Sequence, residues 1–410
     1  MAETLVNHLE EKVQFSDLKL YSLLELTTAI NSNESVDQLL RIYEYILHEQ
    51  LDLTKFLLIV NHHDWRIMLK VGYKGRLKGL EINPHLMRFD DITVIESSHV
   101  EALNDFDVII PVSHKDQKLA FLLVGDLKAD SLRLKETTNH MNFLQTLTNI
   151  IVVAIENKRM ANEGLKQARL KKELEVASEM QKLLFPSDLP TNKEMDVAAK
   201  YKARHEVGGD YYDFFPISED EYIICIGDVS GKGIAAALLM ANFQATLRAM
   251  ASYQRFDLTY LVQELNRVVF RNAKGEKFIT FFIAEYNVKT RKLKYINAGH
   301  NHPFITNGRD YHFLDQGSIG LGMFEELPFI NHDTISLAKN TTLVLYTDGV
   351  VELENEYHEP FEIDRVIKII HSFYPLKTDD LNNLIFSKLD EWKGEAKYAD
   401  DTAIFTCRFF

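Results

Sequence analysis

Four acidic signals in this chain stand where apolar, strand-like runs meet tight turns. They are Gly208-Gly209-Asp210-Tyr211-Tyr212-Asp213, Gly227-Asp228-Val229-Ser230-Gly231-Lys232-Gly233, Tyr346-Thr347-Asp348-Gly349-Val350 and Tyr398-Ala399-Asp400-Asp401-Thr402. A strand fixes the position of a carboxylate at its end, and glycine neighbours let a ligand come close to the backbone. Gathered together, four such carboxylates make a hard, oxygen-rich pocket that selects Mg²⁺ or Mn²⁺ over softer metals. Two such ions about 3.5–4 Å apart hold and deprotonate a shared water and neutralise a phosphoryl group. The chemistry is hydrolysis of a phosphate ester without a covalent intermediate. Spacing alone leaves a plainer reading open. A single Asp-Gly is usually only a turn, and Asp213, Glu352 and Asp401 read equally well as solvated surface.

Competing chemistries lack their residues. No cysteine pair or histidine cluster has zinc spacing. Gly227–Gly233 contains Gly-Lys but not the four-residue gap and following Ser/Thr of a P-loop. No Gly-x-Ser-x-Gly elbow supports a serine hydrolase. Asn61-His62-His63-Asp64 has the residue types of a metal cluster, but its place after a strand-like run reads as a polar hairpin tip. The net charge of −14, from 46 basic and 60 acidic side chains, argues against a nucleic-acid binder. Cys225 and Cys407 lie in apolar stretches and read as reduced core thiols. Met1–Val13 has no basic segment leading into an apolar run, so a signal peptide is not expected. The apolar run Ile150–Ile155 is far short of the roughly 20 residues of a membrane span. A cytoplasmic location without membrane contact is the expectation.

The elements that would position these residues fall into three zones of the 410-residue chain. In the first, 1–155, Leu18–Ile30 and Val36–Leu51 have helical periodicity. Phe56–Val60, Asp107–Val112 and Leu119–Leu127 read as strands, the last two joined by a hairpin, and Leu134–Ile155 is again helical. This is an α+β module. The second zone, 156–186, is a helical linker ending at Pro186. In it Leu170, Leu174, Ala177, Gln181 and Leu184 form a weak heptad with one polar seam position. It suits either a single packed helix, weakened by Gly164, or a coiled coil between subunits. The third zone, 190–410, runs through strands Tyr222–Gly227, Phe278–Tyr286, Leu293–Asn297, Thr342–Tyr346 and Ala403–Arg408. Its helices are Ile234–Tyr253, Leu258–Asn272, Asp364–Phe373 and Asp379–Trp392. Strands in runs with helices in pairs favour a sheet sandwich covered by helices.

Glu206–Gly233, Asn297-Ala298-Gly299-His300-Asn301, Thr347-Asp348-Gly349 and Asp400-Asp401-Thr402 occur in this order. Together they resemble the bacterial stress-response branch of the PPM (type 2C-like) phosphatases, the branch of the RsbU and SpoIIE type enzymes. The resemblance covers about 190–410. Glu173–Leu184, running into Phe185-Pro186, is similar to the segment that precedes this domain in the family. The fold implied is a PP2C-like α-β-β-α sandwich, and the activity is dephosphorylation of phosphoserine or phosphothreonine by a hydroxide bridging two Mn²⁺ or Mg²⁺ ions. By the same resemblance, Asp210 and Asp228 bridge both metals, Val229 offers its backbone carbonyl, and Asp348 and Asp400 complete one site. Asp213 and Asp401 would support the ligands from behind. Animal-type enzymes place a histidine acid two residues after the second bridging carboxylate, where this chain has Ser230. The family's Gly-His-Asn-Pro-Pro reads Gly299-His300-Asn301-His302-Pro303 here, so His300 and His302 are either acids or loop-fixing residues. Lys232 either attracts phosphate or is solvated.

The first zone resembles a GAF-like domain more loosely, through Val108-Ile109-Ile110-Pro111-Val112 and Leu119–Leu127. Such a domain implies a sensor or a dimerisation module. The expected partner is a phosphorylated protein, in this branch a small STAS-type anti-anti-sigma factor, and the expected assembly is a homodimer switched through the linker. A signal-binding scaffold that docks partners with negligible turnover, and a two-metal hydrolase of small phosphoesters, are the rival readings.

Overall fold

The computed structural model describes residues 2–62, 64–74, 85–95, 99–114, 117–127, 136–252 and 257–410. By compactness the chain divides into Met1–Ala168 and Arg169–Phe410.

In the first unit, helices α1 (Ala2–Asn31) and α2 (Val36–Tyr45) precede a π-helical turn, Ile46–Gln50. Ser35 and Gln38 form a reciprocal capping box that starts α2. Five antiparallel strands follow: β1 (Lys55–His62), β2 (Asp64–Val71), β3 (Thr93–Val94), β4 (Val108–His114) and β5 (Gln117–Gly125), in the order β2-β1-β5-β4-β3. Alternation along β1 sends Phe56, Leu58 and Val60 into a core with Leu26, Tyr43 and Leu147, and sends Leu57 and Ile59 to the opposite face with Phe121. The strands expected from the sequence are present. The pairing of β1 with β2 sets His62 opposite Asp64 at the end of the ladder, and His63 lies outside the described residues.

Helix α3 (Glu136–Lys182) runs unbroken through Gly164, so the division at residue 168 falls inside a helix rather than at either end of the expected linker. Leu170 and Ala177 are exposed along it, whereas Gln181 is buried. The polar seam position therefore faces its own chain.

The second unit is a four-layer α-β-β-α sandwich. One sheet holds β6 (Met195–Lys202), β11 (Phe304–Thr306), β12 (Tyr311–Phe313), β15 (Thr341–Tyr346) and β16 (Thr402–Phe409), in the order β12-β11-β15-β16-β6. The other holds β7 (Tyr211–Pro216), β8 (Glu221–Val229), β9 (Ile279–Asn287), β10 (Lys292–Ala298) and β13 (Gly317–Ser318), with β14 (Asp333–Ser336) also on β10. Their facing sides interdigitate through Ile224, Ile226, Phe282, Leu343, Leu345 and Phe405. The outer face of the β8 sheet is covered by α4 (Ile234–Ser252) and α5 (Leu258–Ala273), which bury Met240, Phe243, Leu247 and Leu265 against Cys225 and Ile283. The outer face of the β16 sheet is covered by α7 (Ile363–Ser372) and α8 (Thr378–Lys393). A short helix, α6 (Asp348–Val351), follows β15.

Helix α4 is long and apolar enough to cross a membrane by length and composition, which the sequence reading did not single out. Its apolar stripe is the one packed on the β8 sheet. Cys225 and Cys407 are both buried and free, as expected of core thiols.

Candidate active site

Strand register explains why residues far apart in sequence meet. The antiparallel pairing that sets Tyr211 against Gly227 puts Asp210 and Asp228 opposite each other one step further, at the end of the ladder. In the other sheet Tyr346 pairs with Ile404. Beyond it the Thr347 N–H donates to the Ala403 carbonyl at 3.1 Å, and the Ala403 N–H donates to Thr347 Oγ1 at 2.9 Å. Asp348 and Asp400 leave this pair of strands on the same side. A side chain at Gly349 would collide with the Asp401 carbonyl, so glycine is what lets the first turn of α6 close onto the Asp400–Asp401 backbone.

The four carboxylates influence one another strongly. Asp210 is 1% exposed, and its Oδ2 is buried with no hydrogen-bond partner among the described residues. Burial, then the charges of Asp228 and Asp401, push its carboxyl well above the usual range, while the Thr347 hydroxyl opposes the shift. Asp228 is pushed up to about 7 by burial and by Asp348 and Asp400, against a hydrogen bond with Asp210. Asp348 is raised by burial and by Asp400. Like charges held this close disfavour ionisation of Asp210, Asp228 and Asp348. The Val229 carbonyl lies beside Gly209, where an added Cβ would come within 3.0 Å of it. Among the described residues no group of three His, Cys, Asp or Glu side chains is drawn in to the spacing of a closed metal cluster. The set nevertheless fits a hard cation: every donor is oxygen, and one buried lone-pair group is left unsatisfied.

Neighbouring residues have structural duties. Asp401 accepts the N–H of Arg204 at 2.8 Å and of Gly209 at 2.7 Å, tying down the segment that delivers Asp210. Asp213 is not behind the cluster of Asp210, Asp228, Asp348 and Asp400. It points to the helix side of β7, where both its oxygens meet Arg248 at 2.7 Å and Tyr211 donates to it at 2.5 Å. Alternation along the strand puts it there, three residues from Asp210. Lys232 is exposed and pairs with Asp400 at 2.5 Å, so it is solvated but not free. Ser230, at the place of the animal-type histidine, exchanges two hydrogen bonds of 2.9 Å with the backbone of Phe278.

His300 is fully packed between the two sheets. Its Nε2 meets the Tyr346 carbonyl at 3.1 Å and its Nδ1 meets Thr280 Oγ1 at 3.0 Å. A carbonyl only accepts, so Nε2 carries the proton and Nδ1 accepts from the threonine hydroxyl. Thr280 pairs with Asp228 across the ladder, and Tyr346 lies two residues before Asp348. His300 thus links two carboxylate-bearing strand ends, the loop-fixing duty, and burial lowers its pKa to about 4. Three contributors escaped the sequence reading. Gln181 and Tyr201 both pack on Gly208, and the Thr347 hydroxyl favours the charged form of Asp210. Thr347 lies inside a motif and Gln181 at a heptad seam, but neither spacing shows these contacts.

Two stacked sheets between helix pairs, with carboxylates gathered at one edge, are the architecture of the PP2C-type phosphatase domain. Residues 218–410, within the C-terminal unit, match the family model of Stage II sporulation protein E (SpoIIE). Phosphoserine phosphatase RsbU of Bacillus subtilis (strain 168) is 32% identical over 207 residues, covering 49% of this chain and 61% of that protein. Protein IcfG of Synechocystis is 27% identical over 274 residues, covering 60% of this chain and 43% of that protein. The SiaA-PP2C domain of Pseudomonas aeruginosa shares the fold, with a TM-score of 0.54 at 20% identity, over 60% of this chain and 99% of that one. The chain thus spans less than two thirds of the length of the curated relatives it matches.

Proposed function

We propose that this chain is a metal-dependent protein serine/threonine phosphatase, removing phosphate from phosphoserine or phosphothreonine on a partner protein. The observation that carries the reading is the buried, partnerless Oδ2 of Asp210 facing Asp228 at the meeting of the two sheets. Asp210 and Asp228 would hold both ions, with the Val229 carbonyl, Asp348 and Asp400 completing the set. An all-oxygen donor set suits Mn²⁺ or Mg²⁺. When bound, two such ions supply an activated water and neutralise charge on the phosphoryl group. The chain's own residues do the positioning: Asp401 fixes the Gly209 backbone, Lys232 orients Asp400, and His300 joins the strand ends.

RsbU is by name a phosphoserine phosphatase, which supports a phosphoprotein substrate, with a STAS-type anti-anti-sigma factor as the proposed partner. Residues 1–155 would serve as a GAF-like sensor or dimerisation module, 156–186 as a helical linker in a cytoplasmic homodimer, and 190–410 as the catalytic domain. The test is release of phosphate from a phosphoserine peptide by the full chain. It should require Mn²⁺ or Mg²⁺, stop with EDTA, and vanish in Asp228→Asn. Full activity in that variant would refute the assignment.

A further inference from the structure

We infer that the rim of the carboxylate cluster is a docking surface for the phosphorylated segment of a protein substrate, with Lys277 meeting the phosphate and an apolar shelf meeting the flanking side chains. The inference rests on the phosphatase reading and extends it to what the enzyme recognises.

Lys277 has a defined place. Gly231 has φ +94°, a conformation L side chains rarely adopt, and the Lys277 ammonium fills the space its Cβ would occupy. Lys277 is half-buried, and no hydrogen-bond or ion-pair partner stands beside it among the described residues. Lys232, by contrast, is taken up by Asp400. A half-buried ammonium packed against Gly231, which lies three residues after Asp228, in a chain of net charge −14, is suited to a dianionic phosphate monoester.

The shelf adjoins it. Ile234 and Leu238 lie one turn apart at the start of α4, and Leu238 is 68% exposed. One turn on, Asn242 accepts from Asn272 at 2.7 Å, which fixes this part of α4 against the end of α5. Phe278, also exposed, follows that end and is hydrogen-bonded to Ser230, two residues from Asp228. Ile279 then exchanges hydrogen bonds with Leu321. The segment after Leu321 is held on α5 by the buried Asn266, which donates to the carbonyls of Phe324 and Glu325 at 3.1 Å and accepts from Gly322 at 2.8 Å. Fixed this way, Met323 and Phe324 still face solvent, Phe324 at 59% exposure. Apolar side chains held by polar anchors, Asn266 buried and the Asn242–Asn272 pair exposed, yet left in water and continuous with a site, mark an interaction surface. The continuity selects the occupant: a segment with phosphate at Lys277 must cross Phe278 and reach Leu238 or Phe324.

Two phosphoserine heptapeptides test this, one with leucines flanking the phosphoserine and one with serines, each also made as a non-hydrolysable phosphonate. Fluorescence anisotropy with the full chain in Mn²⁺ buffer should show the leucine phosphonate bound about tenfold more tightly, a difference one well-buried side chain can supply. Leu238→Asp and Phe324→Asp should erase the preference, and Lys277→Met should weaken both peptides. Leu238→Ser, with unfolding midpoints for all variants, guards against a folding defect. Equal binding of both peptides by a chain that hydrolyses them overturns the docking surface and leaves the phosphatase reading standing. Failure to hydrolyse either peptide with Mn²⁺ sinks the phosphatase reading. A preference that survives both aspartates, with Leu238→Asp altering sedimentation, assigns the patch to a second copy and overturns the inference.

Discussion

Gln181, in the last turn of α3, closes both ends of its amide on the backbone of Gly208. Its Nε2 donates to the Gly208 carbonyl at 2.7 Å, and its Oε1 accepts the Gly208 N–H at 3.1 Å. Gly208 can take this clamp because it lacks a side chain, since a Cβ there would strike the Tyr201 hydroxyl and the Asp401 carboxylate. The long helix is thereby coupled to the segment that delivers Asp210. Gln181→Ala removes two buried hydrogen bonds, worth together about 2 kcal/mol. It should lower the unfolding midpoint and weaken Mn²⁺ stimulation of hydrolysis, with Gln181→Glu retaining the acceptor half. Unchanged Mn²⁺ dependence in the alanine variant would show the clamp to be idle.

His300 gives the fold a defined response to acid. Its folded-state pKa of about 4, caused first by burial, lies below the ordinary value of 6.5, so the native state binds the proton less readily than the unfolded chain does. Its neutral form is fully accommodated above pH 6.5. Stability is lost as pH falls from there towards 4, by on the order of 3 kcal/mol, and no further below it. The measurement is the unfolding midpoint of wild type and His300→Asn between pH 7.5 and 4. Wild type should lose its advantage over the variant across that window. A constant difference would contradict the assignment.

Asp213 and Arg248 lock α4 to β7 through a two-pronged pair whose carboxylate is wholly buried. Arg248→Met would leave that charge with only the Tyr211 hydroxyl and one backbone N–H, and breaking a buried pair from one side costs about 3–5 kcal/mol. Because Arg248 is partly exposed, the lower end of that range is expected in denaturant unfolding. The paired change Asp213→Asn with Arg248→Met should recover part of it. A loss confined to activity, with stability untouched, would place Asp213 in the chemistry instead.

Much of this was legible in the residues, for identifiable reasons. Asp210, Asp228, Asp348 and Asp400 announce themselves because each sits between an apolar run and a glycine-rich or acidic turn, and the helix pairs have clear 3.6-residue periodicity. Strand β6 was missed although Met195, Val197, Ala199 and Tyr201 alternate onto the core against Asp196, Lys200 and Lys202, because the alanines at 198 and 199 give its centre little strand propensity. Asp196 is in fact buried, capping α8 by accepting the Thr378 N–H at 2.9 Å. The three-residue strands β11 and β12 are too short for any periodicity to show. Gln181 fitted a heptad seam by spacing, yet only the tertiary fold reveals Gly208 opposite it. Asp213 looked like a companion of Asp210 by proximity in sequence, and strand alternation sent it to the other face. Lys277 carries no sequence signal, because its place depends on the backbone conformation of Gly231.

Isothermal titration of Mn²⁺ into the full chain and into Asp228→Asn tests the central claim most directly. Wild type should bind about two ions per chain, as a two-metal site requires, and the variant should lose at least one of them while its circular dichroism stays that of wild type. Identical isotherms for the two proteins, or no heat of binding in wild type, would contradict it.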